Sequence, residues 1–350
     1  MDRQKKSEEG KLSRRSFLGK SAVGASVVAA LPILSACAAA PAAPGSNPAV
    51  VGTQSADPKK DSYKMVFIQQ QPHTVSTAWA QGIADVTKVQ NNIDFQQLDG
   101  QNSPATQISL MDTSISQGVD CIFLQPADSV GLGPSIKKAR EAGIPVITLN
   151  IGATEPHAAH VEMNHYYGAI QIAQKMGEMM GGKGNVVILN APPGLIIRDL
   201  RTNGFMEGLK KYPDIKVISD QSADWDRKKA QDILSTILAS GKQVDGVYGV
   251  NDSMALGAVD VAKTKGLIGK LVVFGNDGEK DALEAIEAGE LSGTQYTDVW
   301  QQGRLAAALG IGLASGGISA KAFTNQGHLL MPYIIAVKDT VGSIQAWQRW

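Results

Sequence analysis

The side chains best suited to chemistry in this chain fall in short polar stretches, each directly after an apolar run. Ile68 is followed by Gln69-Gln70-Gln71-Pro72-His73, Leu124 by Gln125-Pro126-Ala127-Asp128, and Leu149 by Asn150-Ile151-Gly152. Further on, Leu189 leads to Asn190-Ala191-Pro192-Pro193-Gly194, and Ile218 to Ala223-Asp224-Trp225-Asp226-Arg227. Val250 leads to Asn251-Asp252, and Phe274 to Gly275-Asn276-Asp277-Gly278. Amides and carboxylates dominate, with one Trp in a polar setting. An amide both donates and accepts, and a carboxylate accepts from two hydroxyls. An indole face offers a ring an apolar plate. The set suits a neutral, polyhydroxylated guest better than a reacting centre.

Other chemistries find less support. No Gly-x-Gly-x-x-Gly or Gly-x-x-x-x-Gly-Lys follows an apolar run, so no phosphate cradle is expected. No Ser or Cys elbow with a matching His and acid stands out. Asp277 lacks an evident carboxylate partner, which counts against carbohydrate hydrolysis. His157, His160 and His165 span a loop and a chain crossing rather than one helix face, so neither a metal site nor a cofactor is expected. Lys and Arg number 33, as do Asp and Glu, and a nucleic-acid binder would show a basic excess. Some of the polar residues also have local duties to weigh. Asp226 is placed to cap a helix over 227–240, with Trp225 as its staple partner, and Asn251 or Asp252 to cap one over 254–263.

The elements that must position these loops read as alternating strands and helices. With 350 residues, 43% hydrophobic and 19% charged, the chain can bury a sizeable core and is long enough for about two domains. Strands are expected at 63–68, 93–98, 121–124, 145–149, 185–189, 215–218, 246–250, 271–274 and 294–297. Many are apolar nearly throughout, as a parallel strand covered on both faces must be. Stretches such as Ala230–Leu238 carry apolar residues at helical spacing, with Gly241 as a stop. Strand–helix–strand repetition implies doubly wound sheets, and nine or ten strands imply two α/β lobes. In such sheets ligands collect at the carboxyl ends of the strands.

The N-terminus reads as an address. Residues 1–36 hold seven of the 33 basic groups and three of the 33 acidic ones, so the remainder is mildly acidic. A basic stretch with Ser13-Arg14-Arg15-Ser16-Phe17-Leu18, similar to a twin-arginine export signal, precedes an uncharged run too short to span a bilayer. The run ends in Leu34-Ser35-Ala36-Cys37, which resembles the lipobox of bacterial lipoproteins, with Cys37 as the lipidated thiol. Residues 37–60 then read as a lipidated Cys and a disordered Ala/Pro-rich linker. With Cys37 modified, only Cys121 remains, so no disulfide can form within the chain and Cys121 is expected in the core.

Taken in order, the strand-end loops resemble those of the type I periplasmic binding proteins, specifically the ribose-binding-like sugar receptors of ABC transporters. The segments that carry the resemblance are Gln125–Asp128, Gly143–Asn150, Arg198–Phe205, Ala223–Arg227, Asn251–Ala258 and Asn276–Gly278. It implies two doubly wound parallel-sheet lobes joined by three hinge crossings, near Met163-Asn164, Thr297-Asp298 and Gln326-Gly327. Residues 61–163 and 298–326 would form one lobe, 164–297 and 327–350 the other. The family's binding positions map onto Gln71, His73, Gln125, Asn150, Arg201, Trp225, Asn251 and Asp277, with Thr297 at a hinge. Four departures mark this chain. Asn150 replaces an Asp, and Ile151 an Arg. His73-Thr74 stands where two aromatics stack the sugar, with Trp79 as a candidate second ring. Thr297 replaces an amide. The resemblance thus implies a sugar or polyol as guest, not ribose in particular. It further implies a monomeric, membrane-tethered receptor delivering its ligand to an ABC permease, without catalysis. A receptor for signalling or chemotaxis is the alternative, and a carbohydrate-active enzyme a more distant one. An intracellular repressor of this fold would need a DNA-binding element where the export signal stands. On this reading, Trp225→Ala or Asp277→Ala abolishes binding without unfolding.

Overall fold

Apolar runs that are buried on both faces become the central strands of two parallel sheets. The computed structural model describes residues 60–319 and 327–350. The export segment, Cys37, all of the linker but Lys60, and Gln326 lie outside them. In the first lobe the chain runs β1 (Tyr63–Gln69), α1 (Thr74–Lys88), β2 (Ile93–Asp99), α2 (Pro104–Ser116), β3 (Cys121–Leu124), α3 (Gly133–Glu141), β4 (Val146–Leu149) and β5 (Ala159–Met163). In the second it runs α4 (His165–Met179), β6 (Lys183–Asn190), α5 (Ile196–Leu209), β7 (Asp214–Ser222), α6 (Arg227–Ala239), β8 (Gly246–Gly249), α7 (Asp252–Thr264), β9 (Val272–Asp277), α8 (Lys280–Glu287) and β10 (Gly293–Thr297). Helix α9 (Val299–Ala314) returns to the first lobe, and β11 (His328–Met331) and β12 (Tyr333–Val337) follow.

The sheet orders are β11-β5-β4-β3-β1-β2 and β12-β10-β9-β8-β6-β7. Each sheet reverses direction once, between β1 and β3 in the first and between β6 and β8 in the second. A crevice opens at the carboxyl ends of the strands at such a point. Strand β3 shows why these strands are apolar throughout. Cys121 and Phe123 pack on the face covered by α1 and α9, while Ile122 and Leu124 pack on the opposite face with Met111 and Ile136. Cys121 is free and fully buried, where it packs as a small hydrophobe.

All nine apolar runs form strands. Three further strands, β5, β11 and β12, were not among the runs expected: β5 lies inside the first sheet and carries His160 and Glu162, while β11 and β12 form the edges of the two sheets. They also move one boundary. The sequence reading puts the third crossing at Gln326-Gly327, with 327–350 in the second lobe. Instead His328–Met331 pairs in parallel with β5, in the first sheet, while Tyr333–Val337 pairs antiparallel with β10 in the second. The chain therefore crosses at Pro332. Proline has no N–H to give either ladder, so it suits the break between them.

Helix–helix contacts are close where glycines permit them. A Cβ on Gly204 would lie 2.2 Å from the Tyr166 carbonyl oxygen, and one on Gly208 2.5 Å from that of Ile170, so α5 lies backbone-near on α4. This contact fixes the helix that carries Arg201.

Candidate functional site

The two crevices face each other and enclose a cavity of about 90 Å³. From the first lobe Gln71, His73, Gln125 and Asn150 line it, and from the second Arg201, Trp225, Asn251 and Asp277. Trp79 and Ile151 also border it. Thr297 does not. Its hydroxyl donates to the Pro332 carbonyl at 2.9 Å, tying the second crossing to the third.

The first-lobe loops are held by a buried amide that the sequence did not single out. Gln107 donates to the carbonyls of Gln69 (3.0 Å) and Gln125 (2.8 Å) and accepts from the Ala127 N–H at 2.7 Å. Gln125 Oε1 accepts from the Gln70 N–H at 3.2 Å, and its Nε2 lies 3.3 Å from His73 Nε2. His73 is the N-cap of α1 and packs edge-on against Trp79, with ring centroids 6.4 Å apart. Trp79 is fully buried and donates from Nε1 to Gln302 at 2.7 Å. Burial holds the His73 imidazole below its ordinary range, so it is neutral at neutral pH.

In the second lobe, Arg201 is 1% exposed, so it is no solvated helix residue. Its guanidinium donates to Asp277 Oδ1 at 2.6 Å, to His165 Nδ1 at 3.3 Å and to the Val250 carbonyl. These bonds use three of its five N–H groups. Asp277 is set by the residue the sequence treated only as a cap. Asp252 accepts from the N–H groups of Gly278 (2.7 Å) and Glu279 (2.8 Å) and from the Thr294 hydroxyl (2.6 Å), clamping the turn that presents Asp277. Asn251 takes the cap of α7 with Oδ1, accepting from the Met254 N–H at 2.9 Å, and borders the cavity as well. Asp226 likewise caps α6, accepting from the Lys229 N–H at 2.6 Å.

Three of the lining residues have left-handed backbones: Asn150 at φ 58°, Trp225 at 64° and Asp277 at 105°. For residues other than glycine this costs about 1–3 kcal/mol each, and such strain gathers at ligand clamps. Two of the three also hold unspent polar atoms. Asn150 Oδ1 and Trp225 Nε1 are buried without a hydrogen-bond partner, one an acceptor and the other a donor. Leaving such a group unmade costs about 1–3 kcal/mol.

Glu279 borders the cavity too, and only its place after the Asn276-Asp277-Gly278 turn could have pointed to it. Burial, with Asp277 and Asp281 nearby, pushes its carboxyl up to about 8. At neutral pH the cavity thus holds one ion pair, a neutral imidazole and a neutral carboxylic acid. It is charge-balanced, which is the field an uncharged guest requires.

The model of the periplasmic binding protein domain matches residues 65–318. The chain belongs to this family. A xylitol-binding protein of Mycolicibacterium smegmatis is 35% identical over 253 residues, covering 72% of this chain and 70% of the relative. A D-apiose import binding protein of Paraburkholderia graminis is 33% identical over 190 residues, covering 54% of this chain and 61% of the other. Among solved structures, an ABC transporter solute-binding protein of Bacillus halodurans with bound myo-inositol superposes with a TM-score of 0.76 at 22% identity, covering 81% of this chain and 98% of that one. The family is extracytoplasmic. Among the described residues no helix is long and apolar enough to cross a membrane.

Proposed function

We propose that this binding protein captures a monosaccharide or a polyol between its lobes and hands it to an ABC transporter permease, with no bond made or broken. The observation that carries this is the charge-balanced cavity lined from both lobes, with one unspent buried acceptor and one unspent buried donor. Asn150 Oδ1 would accept from a hydroxyl and Trp225 Nε1 would donate to one. Arg201 has two N–H groups left for ring or hydroxyl oxygens, and Asp277 has a second carboxylate oxygen. A relative that binds xylitol and a structural neighbour that holds myo-inositol favour open-chain and cyclic polyols beside aldoses.

The proposed mechanism is lobe closure. A guest that touches both lobes binds the closed form better than the open one, and only that difference moves the equilibrium. Reversing a 99:1 preference takes about 5.5 kcal/mol, within reach of a few buried hydrogen bonds and a stacked ring. Ser129 of the first lobe meets the second in the closed form, accepting from the Ile196 N–H at 3.2 Å and donating its own N–H to the Gly194 carbonyl at 3.3 Å. We further infer export by the twin-arginine route and tethering through lipid on Cys37. Labelled fatty acid should enter the chain and fail to enter Cys37→Ala.

A thermal-shift panel of pentoses, hexoses, xylitol and myo-inositol tests the ligand class. A guest at a hundred times its Kd should raise stability by about 2.7 kcal/mol. If no sugar or polyol moves the melting temperature while an amino acid or a charged metabolite does, the reading fails.

A further inference from the structure

Contrary to the expectation of no metal site, His160, one of the three histidines weighed from the sequence, meets Glu162 and His328 beside the cleft. Pairing of β11 with β5 sets His328 opposite His160. Alternation along β5 puts Glu162 on the same side as His160. Glu162 is buried, with Oε2 3.0 Å from His160 Nε2 and Oε1 2.5 Å from His328 Nε2. One ligand-type atom from each of the three residues lies within 4.8 Å of the others. All three side chains border a pocket of about 160 Å³ beside the cleft, whose other wall includes Ile196, Ile197 and Leu200 of the second lobe.

The hydrogen bonds behind His160 decide what faces Glu162. His157 Nδ1 lies 2.8 Å from the Glu155 carbonyl. A carbonyl only accepts, so in the neutral ring Nδ1 carries the proton and Nε2 a lone pair. Thr148 Oγ1 lies 2.9 Å from that lone pair and must give it its single proton. The same oxygen lies 2.7 Å from His160 Nδ1, which is left to donate. His160 Nε2 then points a lone pair at a carboxylate oxygen 3.0 Å away. Two acceptors at that distance need a cation between them.

A proton could serve, but three features favour a metal ion. A second imidazole, His328, stands on the other oxygen of the same carboxylate. The far nitrogen of His160 is fixed by a hydroxyl, as the outer nitrogen of a metal-bound imidazole is. The adjoining pocket gives room for a fourth ligand. His165, 3.4 Å from Glu162 Oε2, is not a ligand. Its Nε2 donates to the Asn150 carbonyl at 3.1 Å, and its Nδ1 accepts from Arg201.

We propose that His160 Nε2, the Glu162 carboxylate and His328 Nε2 bind a divalent transition-metal ion of the zinc class, with a fourth position open to the pocket. Two imidazoles and one carboxylate are a zinc-type set, whereas calcium and magnesium call for oxygen ligands. Such an ion would staple edge strand β11 to β5, next to two of the three crossings.

The test is calorimetric titration of ZnCl₂ into the full-length chain, purified without a histidine tag and stripped of metal, with no sugar present. One zinc per chain is expected. His328→Ala, whose half-exposed ring can leave without opening the core, should weaken binding at least about tenfold, and Thr148→Val about 10–100-fold. Circular dichroism should show both variants folded. X-ray absorption of the loaded protein should show imidazole scattering at the zinc. Absence of saturable binding, or affinity unchanged in His328→Ala, overturns the site. Because the titration contains no sugar, its failure leaves the ligand-class reading standing.

Discussion

Asp277 and Glu279 sit two residues apart at the end of β9 and do different work. Asp277 is ionically paired with a guanidinium that is itself out of solvent. Removing one partner of a buried pair leaves an uncompensated charge, at a cost of about 3–5 kcal/mol. Asp277→Ala is therefore unsuited to testing binding alone, contrary to the reading from sequence, which had no view of the pair. Glu279 gives a cleaner experiment. Its carboxyl titrates near 8 when folded, against 4.5 for the unperturbed group. Below about 4.5 both states hold the proton. Between there and about 8 only the folded state does, so its contribution is full in acid and is lost as pH rises, at up to about 1.4 kcal/mol per pH unit. Melting of the ligand-free chain across pH 5 to 8.5 should show wild type losing stability relative to Glu279→Gln as pH rises. Parallel curves would contradict the assignment.

At the scale of elements, legibility did not simply follow burial: β2 is largely exposed and was expected, while β5 is buried throughout and was not. Strands covered on both faces, such as Cys121–Leu124, are unbroken apolar runs because each alternate side chain meets a helix layer. Strand β5 places His160 and Glu162 among its apolar residues, which breaks the run, whereas β12 is apolar throughout and, like the short edge strand β11, is only partly covered, so the run alone did not say which sheet it joins. The polar loops were legible because a parallel strand delivers whatever follows it to one edge of the sheet, and eight of the nine expected residues meet there. Thr297 and the third crossing were not, since both depend on which sheet accepts β11. The pairing of Glu162 with His328 joins residues 166 apart in sequence, beyond the reach of any local pattern. The glycine contact between α4 and α5 makes its own prediction. Gly204→Ala would drive a methyl into the Tyr166 carbonyl and, as overpacking, should cost about 1–3 kcal/mol in chemical denaturation. An unchanged midpoint would show that α5 is not held there.

For the molecule as a whole, the two lobes are each completed by a segment that returns from elsewhere: α9 and β11 for the first, β12 for the second. Closure can then move two intact cores against each other about three short crossings, with no core broken. Gln125, Asn150, Arg201, Asn251 and Asp277 are buried between the lobes, and Gln71, His73 and Trp225 are partly so, so parting of the lobes would open the way for a guest. The central claim is that both lobes grip one uncharged, hydroxyl-rich molecule. It is tested most directly by calorimetry with the strongest hit of the sugar and polyol panel on wild type, Gln125→Ala and Trp225→Ala, one change in each lobe. The account predicts one site per chain and at least about tenfold weaker binding in each variant, the loss of roughly 1.4 kcal/mol that one or two buried contacts supply. Wild-type affinity in either variant would contradict it.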